Sequence, residues 1–121
     1  IIFLQATCPF VQYSDINQAL MLMEKYDSVI SVSKFDQFLW VGSKAMYDIN
    51  NRQRRQSLEQ RYVETGSMFV TTKTSLLKSQ NRISGKVGFL EVPKWRSIDI
   101  DTYEDLELAR KIMNIENGTN I

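Results

Sequence analysis

Short apolar runs with strand character alternate along the chain with stretches in which apolar residues recur at helical spacing. The runs that predict strands are 1–4, 28–32, 66–73 and 85–92. Residues 14–26 and the segment that begins at Thr102 predict helices, because their apolar residues lie three and four positions apart. Strands interleaved with helices are typical of an α/β domain, so we expect a mostly parallel sheet. The segment from Gly66 to Val92 leaves room for one antiparallel hairpin.

The first strand and the helix starts carry further signals. The run Ile1-Ile2-Phe3-Leu4 contains no polar residue, which predicts a strand that is fully buried. A domain seldom begins inside its core, so we expect the chain to be the C-terminal part of a longer protein whose preceding segment supplies neighbouring strands. Ser14 is the expected cap of the first helix. Thr102 and Asp105 have the spacing of a capping box for the last one.

Composition limits the chemistry that the chain can perform. It has 121 residues, a formal net charge of +1 and no histidine, so catalysis would rely on carboxylates, lysine and arginine. The small net charge predicts no general attraction to nucleic acid or membrane. The single cysteine, Cys8, cannot form an internal disulfide, and we find no secretion signal or spanning apolar run, so we expect a cytoplasmic protein.

Asp99 and Asp101 are the strongest chemical signal. Residues i and i+2 of a strand point to one face, so both carboxylates are expected to project together where a strand ends. Two carboxylates cannot fill the octahedral shell of Mg²⁺, so water and a substrate phosphate would complete it, which indicates phosphoryl or nucleotidyl transfer. The alternative is a solvated strand end whose aspartates cap the following helix, although Thr102 can cap that helix itself.

A basic cluster, Arg52-Gln53-Arg54-Arg55, lies in the span 34–61, where the apolar pattern becomes irregular and predicts an excursion from the sheet. Such a cluster is typical of a solvated charge run, or of a patch for nuclear import or RNA binding. The third alternative is that its arginines clamp a polyanionic substrate beside a metal. Gln5 follows the first strand, where open α/β sheets bind ligands. The chain contains neither G-x-x-x-x-G-K-[ST] nor G-x-G-x-x-G, so a phosphate-cradling loop would have to lie upstream.

Four segments resemble a known family, in the same order and with similar spacing. The segment Leu4-Gln5-Ala6-Thr7-Cys8-Pro9 resembles the L-Q-[AP]-T-S-P signature of the N-acylneuraminate cytidylyltransferases. Residues 52–56, 66–69 and 97–102 are similar to that family's R-x-R-R-Q, N-G-[SA]-[FI]-Y and S-[IV]-D-I-D segments. The resemblance implies a Rossmann-like nucleotidyltransferase fold, a three-layer sandwich, of which this chain would be the C-terminal portion. The CTP-binding portion would then precede it.

The resemblance also implies a reaction and its residues. In the family, the anomeric hydroxyl of a nonulosonic acid attacks the α-phosphate of CTP, which yields a CMP-sugar and pyrophosphate. The implied roles are Mg²⁺ binding by Asp99 and Asp101, catalysis by Arg52, and substrate binding by Gln5, Arg55 and Gln56. Cys8 replaces the usual serine and Thr65 replaces the usual asparagine, so side-chain contacts at these two positions would differ.

The family resemblance further implies a homodimer or homotetramer, with the excursion 34–61 as the contact between subunits. Its aromatic residues fit equally a loop packed on its own core. The competing function is a nucleotidyltransferase-like module that binds ligand or oligomerises without catalysis. The sugar could be N-acetylneuraminate, its deaminated analogue, legionaminate or pseudaminate.

Overall fold

The structure, a computed structural model, describes residues 1–118 and contains one four-stranded and one two-stranded sheet over that range. The strands are β1 (Ile2–Leu4), β2 (Ser28–Phe35), β3 (Trp40–Val41), β4 (Lys44–Ala45), β5 (Arg61–Thr71) and β6 (Val87–Glu91). The helices are α1 (Tyr13–Leu22), α2 (Lys73–Ser79) and α3 (Tyr103–Glu116), and two 3-10 turns cover Arg55–Ser57 and Lys94–Arg96. None of the helices described is long and apolar enough to cross a bilayer.

The main sheet is mixed, in the order β1-β5-β2-β6. Strand β5 runs antiparallel to both β1 and β2, whereas β2 and β6 are parallel. The α/β class is therefore confirmed, but the mostly parallel sheet is wrong for the described residues, and the Rossmann-like arrangement stays a prediction. No α-helix connects β2 to β5 within this part of the chain, and such a helix is the usual crossover between parallel strands.

The predicted hairpin between Gly66 and Val92 is also wrong, because β2 lies between β5 and β6. One consequence of this order matters for the site. Since β1 and β2 both oppose β5, and β6 follows β2, the three strands β1, β2 and β6 point the same way. Their carboxyl ends share one edge of the sheet.

The core lies on both faces of β2, whose residues from Ser28 to Ser33 are all buried. One face packs Val29, Met68 and Leu90 against Ala19 of α1. The other face is formed by Ile30, Val32 and Phe69. The central strand is thus rich in β-branched residues because both of its sides must be filled.

Strand β1 does not have the full burial that its apolar run predicts. It is an edge strand that pairs only with β5 in the described structure, and its residues remain exposed, from 36% at Phe3 to 52% at Leu4. An apolar run specifies strand character, but the number of neighbouring strands is a property of the tertiary arrangement.

Of the two predicted helix caps, the one at α3 is confirmed and the one at α1 is wrong. The prediction for α3 is confirmed, because Thr102 Oγ1 accepts from the Asp105 amide at 3.2 Å and Asp105 Oδ2 accepts from the Thr102 amide at 2.9 Å. The prediction for α1 is wrong. Its N-cap is Gln12, whose backbone amide donates to Asp15 Oδ2 at 2.8 Å, and Ser14 lies inside the first turn.

Met68→Ala tests the packing of the core. Met68 is 2% exposed between β2 and the α1 layer, so truncation should lower the free energy of unfolding by about 2–5 kcal/mol through lost burial and a residual cavity. The matched control is Met21→Ala, at a side chain 69% exposed on α1, with an expected change of about 0.5 kcal/mol or less. Urea unfolding measures both, and equal losses would contradict this core.

Candidate functional site

Two loops meet where β1 and β6 end. Residues 5–12 follow β1, and residues 92–102 follow β6. The Ile100 amide donates to the Thr7 carbonyl at 2.9 Å, and the Thr7 hydroxyl donates to Asp99 Oδ1. The contact lies at the shared carboxyl edge of β1, β2 and β6, which is the edge where open α/β sheets bind ligands. Two of the segments that carry the family resemblance are thereby in direct contact.

Asp99 and Asp101 lie in a loop, because residues 97–101 form no strand. The alternation of side chains along a strand therefore does not place their carboxylates on one face. Asp99 is half-buried and held by Thr7, whereas Asp101 is exposed and its amide donates to Asp105 Oδ2 at 3.2 Å. Asp99 therefore contacts the loop after β1, through Thr7, and Asp101 contacts the first turn of α3 through its amide.

Cys8 is a buried thiol, 4% exposed, at the base of this contact. Burial raises its pKa most, and the negative charge of Asp99 raises it further, with a smaller contribution from Asp101 that adds to both. The group is therefore a neutral thiol near pH 7. Its chemistry is that of a small core residue, as expected from sequence.

The donor chemistry at Asp99 and Asp101 fits a hard divalent cation. Carboxylate oxygens are preferred ligands of Mg²⁺, and neither aspartate forms an ion pair with another described residue. The described part of the chain contains no cluster of three or more His, Cys, Asp or Glu that could hold a metal. The aspartate pair would therefore need water and substrate oxygens to complete a coordination shell.

Gln5 lies beside this contact, whereas Arg52 of the basic cluster forms no hydrogen bond or ion pair with either aspartate over the described residues. The Gln5 amide donates to the Ser67 carbonyl at 3.1 Å and its side chain is exposed. Arg52 places its guanidinium 4.3 Å from the ring centroid of Phe38, inside the segment between β2 and β5. Over the described residues no hydrogen bond or ion pair joins Arg52 to either aspartate. Arg55 and Gln56 are exposed in the first 3-10 turn, and the roles of all four residues stay predictions.

The segment between β2 and β5 packs partly on itself. The Tyr47 ring lies 4.7 Å from Phe38 and 6.0 Å from Trp40, measured between centroids, next to the β3–β4 hairpin. Trp40 nevertheless remains 51% exposed and Val41 60% exposed. The contact between subunits that was expected here stays a prediction.

Sequence reasoning missed a buried ion pair between Arg96 and Asp15. Arg96 Nη1 lies 2.5 Å from Asp15 Oδ2, and Nη2 donates to Asp15 Oδ1 at 3.0 Å. Nη1 also donates to the Phe10 carbonyl at 3.2 Å. The two side chains are only 9% and 6% exposed. They are 81 positions apart, and in the sequence Asp15 has only the pattern of a first-turn helix acid, so no local signal indicated the pairing.

The Asp15 carboxyl is held in its charged form despite its burial. Burial on its own raises the pKa of Asp15. Hydrogen bonds from Arg96 and from the Gln12 amide, together with the Arg96 charge, outweigh that effect and hold the pKa below the ordinary aspartate value of 3.8. Since the folded pKa is depressed, the resulting stabilisation is fully present above pH 3.8 and is lost as the pH falls through the lowered pKa.

Asp15→Asn should lower the free energy of unfolding at pH 7 by about 3 kcal/mol or more, because it leaves the Arg96 charge buried without a partner. The gap to the wild type should be constant above pH 3.8 and should narrow as the pH falls from 3.8 through the lowered pKa, where wild-type Asp15 also becomes protonated. Glu107→Gln is the control, since its pair with Arg110 is more than half exposed and is worth about 1 kcal/mol or less. Urea titrations across pH measure both, and a gap that stays constant would contradict the ion-pair assignment.

Comparison with known proteins gives a similarity to a named enzyme. No protein-family model matches the chain. The chain is 30% identical over 119 residues to the N-acylneuraminate cytidylyltransferase of Oncorhynchus mykiss. The alignment covers 89% of this chain and 27% of that protein, so the chain spans about a quarter of the length of this relative. The name of this relative agrees with the resemblance of the individual segments.

Proposed function

We propose that the protein carrying this chain transfers a cytidylyl group from CTP to a nonulosonic acid, with Mg²⁺ and with release of pyrophosphate. The observation that carries the proposal is the contact between Thr7 and Asp99, because it joins two segments of the family resemblance at the ligand-binding edge of the sheet. The similarity to the Oncorhynchus mykiss cytidylyltransferase supports the same reaction class. The remaining substrate contacts would come from chain outside the described residues.

Asp99 and Asp101 would hold the metal, and Thr7 would orient the Asp99 carboxylate through its hydroxyl. When bound, Mg²⁺ neutralises charge on the phosphates and makes the sugar hydroxyl easier to ionise. Gln5 follows β1 at the same edge and would bind substrate by hydrogen bonds. Arg55 and Gln56 would contribute further contacts to the anionic substrates.

Arg52 would stabilise charge on the transferring phosphoryl group or on the leaving pyrophosphate. Within the described residues it lies over Phe38 and forms no hydrogen bond or ion pair with either carboxylate. We therefore propose a homodimer or homotetramer in which the span 34–61 of one subunit covers the site of another. Exposed Leu39, Trp40 and Val41 give that span an apolar surface suited to such a contact.

The lack of a hydrogen bond or ion pair between Arg52 and the aspartates, among the described residues, also favours a second candidate. A nucleotidyltransferase-like module could bind ligand or oligomerise through the same surfaces without catalysing transfer. Turnover by the full natural protein distinguishes the two, because only the first candidate releases pyrophosphate.

Asp101→Asn should abolish Mg²⁺-dependent release of pyrophosphate from CTP and N-acetylneuraminate in the full natural protein. The amide keeps the shape of the side chain but removes the charge that would bind the cation. Glu104→Gln is the matched control, since Glu104 is an exposed first-turn acid of α3 with no role in the proposed site. Unchanged turnover in Asp101→Asn would remove the metal assignment.

Arg52→Ala should lower the rate by about 100-fold or more without changing the melting temperature, because a charge partner of the transition state is lost. Arg110→Ala, at an exposed arginine of α3, is the control and should retain full activity. A variant Arg52→Ala that is unfolded, or one that is folded and fully active, would exclude the catalytic role.

A further inference from the structure

We propose that the buried pair of Arg96 and Asp15 is a positioning device, which fixes the loop that carries Asp99 and Asp101 so that the two carboxylates can bind one divalent cation. This inference rests on the proposed function. It assigns a task to two residues that neither the family resemblance nor the proposed reaction uses.

Arg96 lies in the loop that carries the two aspartates. It ends the 3-10 turn Lys94–Arg96 and lies three residues before Asp99. Its guanidinium donates to both carboxylate oxygens of Asp15, at 2.5 and 3.0 Å, and to the Phe10 carbonyl at 3.2 Å. Asp15 belongs to the first turn of α1 and Phe10 to the loop after β1. One side chain therefore ties the loop after β6 to the loop after β1 and to the first turn of α1.

The two aspartates lie between two fixed points of the chain, the Arg96 ion pair and the start of α3. Upstream, Arg96 holds the chain to α1. Downstream, the Thr102 and Asp105 capping box fixes the start of α3. Between these anchors, residues 97–101 contact the loop after β1 through the Ile100 amide and the Asp99 carboxylate, and both contacts are with Thr7. Release of the upstream anchor would leave the two carboxylates free to change their separation.

The interaction is a buried ion pair with two hydrogen bonds. A buried ion pair often adds no more stability than apolar residues of the same volume, because two charges must be desolvated. A bidentate arginine fork does add a fixed orientation, which a lysine or an apolar side chain cannot reproduce. The edge-on contact of Trp95 with Phe10, 6.1 Å between centroids, packs the same two loops beside the pair. The arrangement thus restricts geometry more than it adds free energy.

The test measures metal binding directly, with Mn²⁺ as a paramagnetic substitute for Mg²⁺ and the full natural protein in the absence of substrate. Free Mn²⁺ is followed by electron paramagnetic resonance at a temperature where every variant is folded. Arg96→Lys keeps the charge and removes the fork, and it should weaken Mn²⁺ binding by about tenfold or more, as loss of an outer positioning contact does. Asp15→Glu keeps the charge at a different length and should weaken it similarly.

Controls separate positioning from general stability. Arg110→Lys changes an exposed arginine of α3 and should leave Mn²⁺ affinity unchanged. Ile30→Ala removes a buried side chain from the core cluster on the opposite face of the sheet, which includes no residue of either loop of the site. In its folded form this variant should also bind Mn²⁺ normally. A loss of affinity in the two ion-pair variants but in neither control supports the positioning role.

Three results would overturn the inference, and they differ in what they say about the proposed function. If the wild type and both folded ion-pair variants bind Mn²⁺ equally, the carboxylate site stands and the positioning role is wrong. If the wild type does not bind Mn²⁺ at all, the carboxylate site itself is wrong, and the positioning role fails with it. Should Arg96→Lys and Ile30→Ala lose affinity alike, the pair acts only on stability and the inference is again overturned.

Discussion

The hydrogen-bonded ion pair between Arg96 and Asp15 is the interaction on which the candidate site depends. It is buried, bidentate and shared with the Phe10 carbonyl, so it joins the loop after β1 to the loop after β6. Loops of this kind are otherwise the least constrained part of a domain. The pair thereby gives a surface contact, Thr7 to Asp99, the fixed geometry that a binding site requires.

The sheet determines which loops can be joined in this way. Because β5 runs antiparallel between β1 and β2, the strands β1, β2 and β6 all end at one edge. The end of β2 and the start of β5 extend past this edge as a two-stranded arm, and the segment with Arg52 connects these two strand ends. The carboxylates and the basic cluster thus belong to the same end of the sheet without contact between them, which is why a second subunit enters the proposal.

Sequence patterns predicted the features that neighbouring residues determine and missed those that depend on residues distant in the sequence. The β-branched run at β2 and the capping box of Thr102 and Asp105 were recognised because their cause lies within a few residues. The direction of β5 was mispredicted, since an apolar run does not encode strand direction. Asp99 and Asp101 were placed on a strand that does not form, yet Asp99 contacts the loop after β1 through Thr7. The partner of Arg96 could not be predicted from residues 81 positions away.

The most direct test of this account is a crystal structure of the full natural protein with CTP and Mn²⁺, in which anomalous scattering locates the metal. The account predicts an anomalous peak bonded to carboxylate oxygens of both Asp99 and Asp101, with Thr7 on Asp99 and with Arg96 on Asp15. A peak at another site, or two aspartates that point to different sides of the loop around a bound nucleotide, would contradict it.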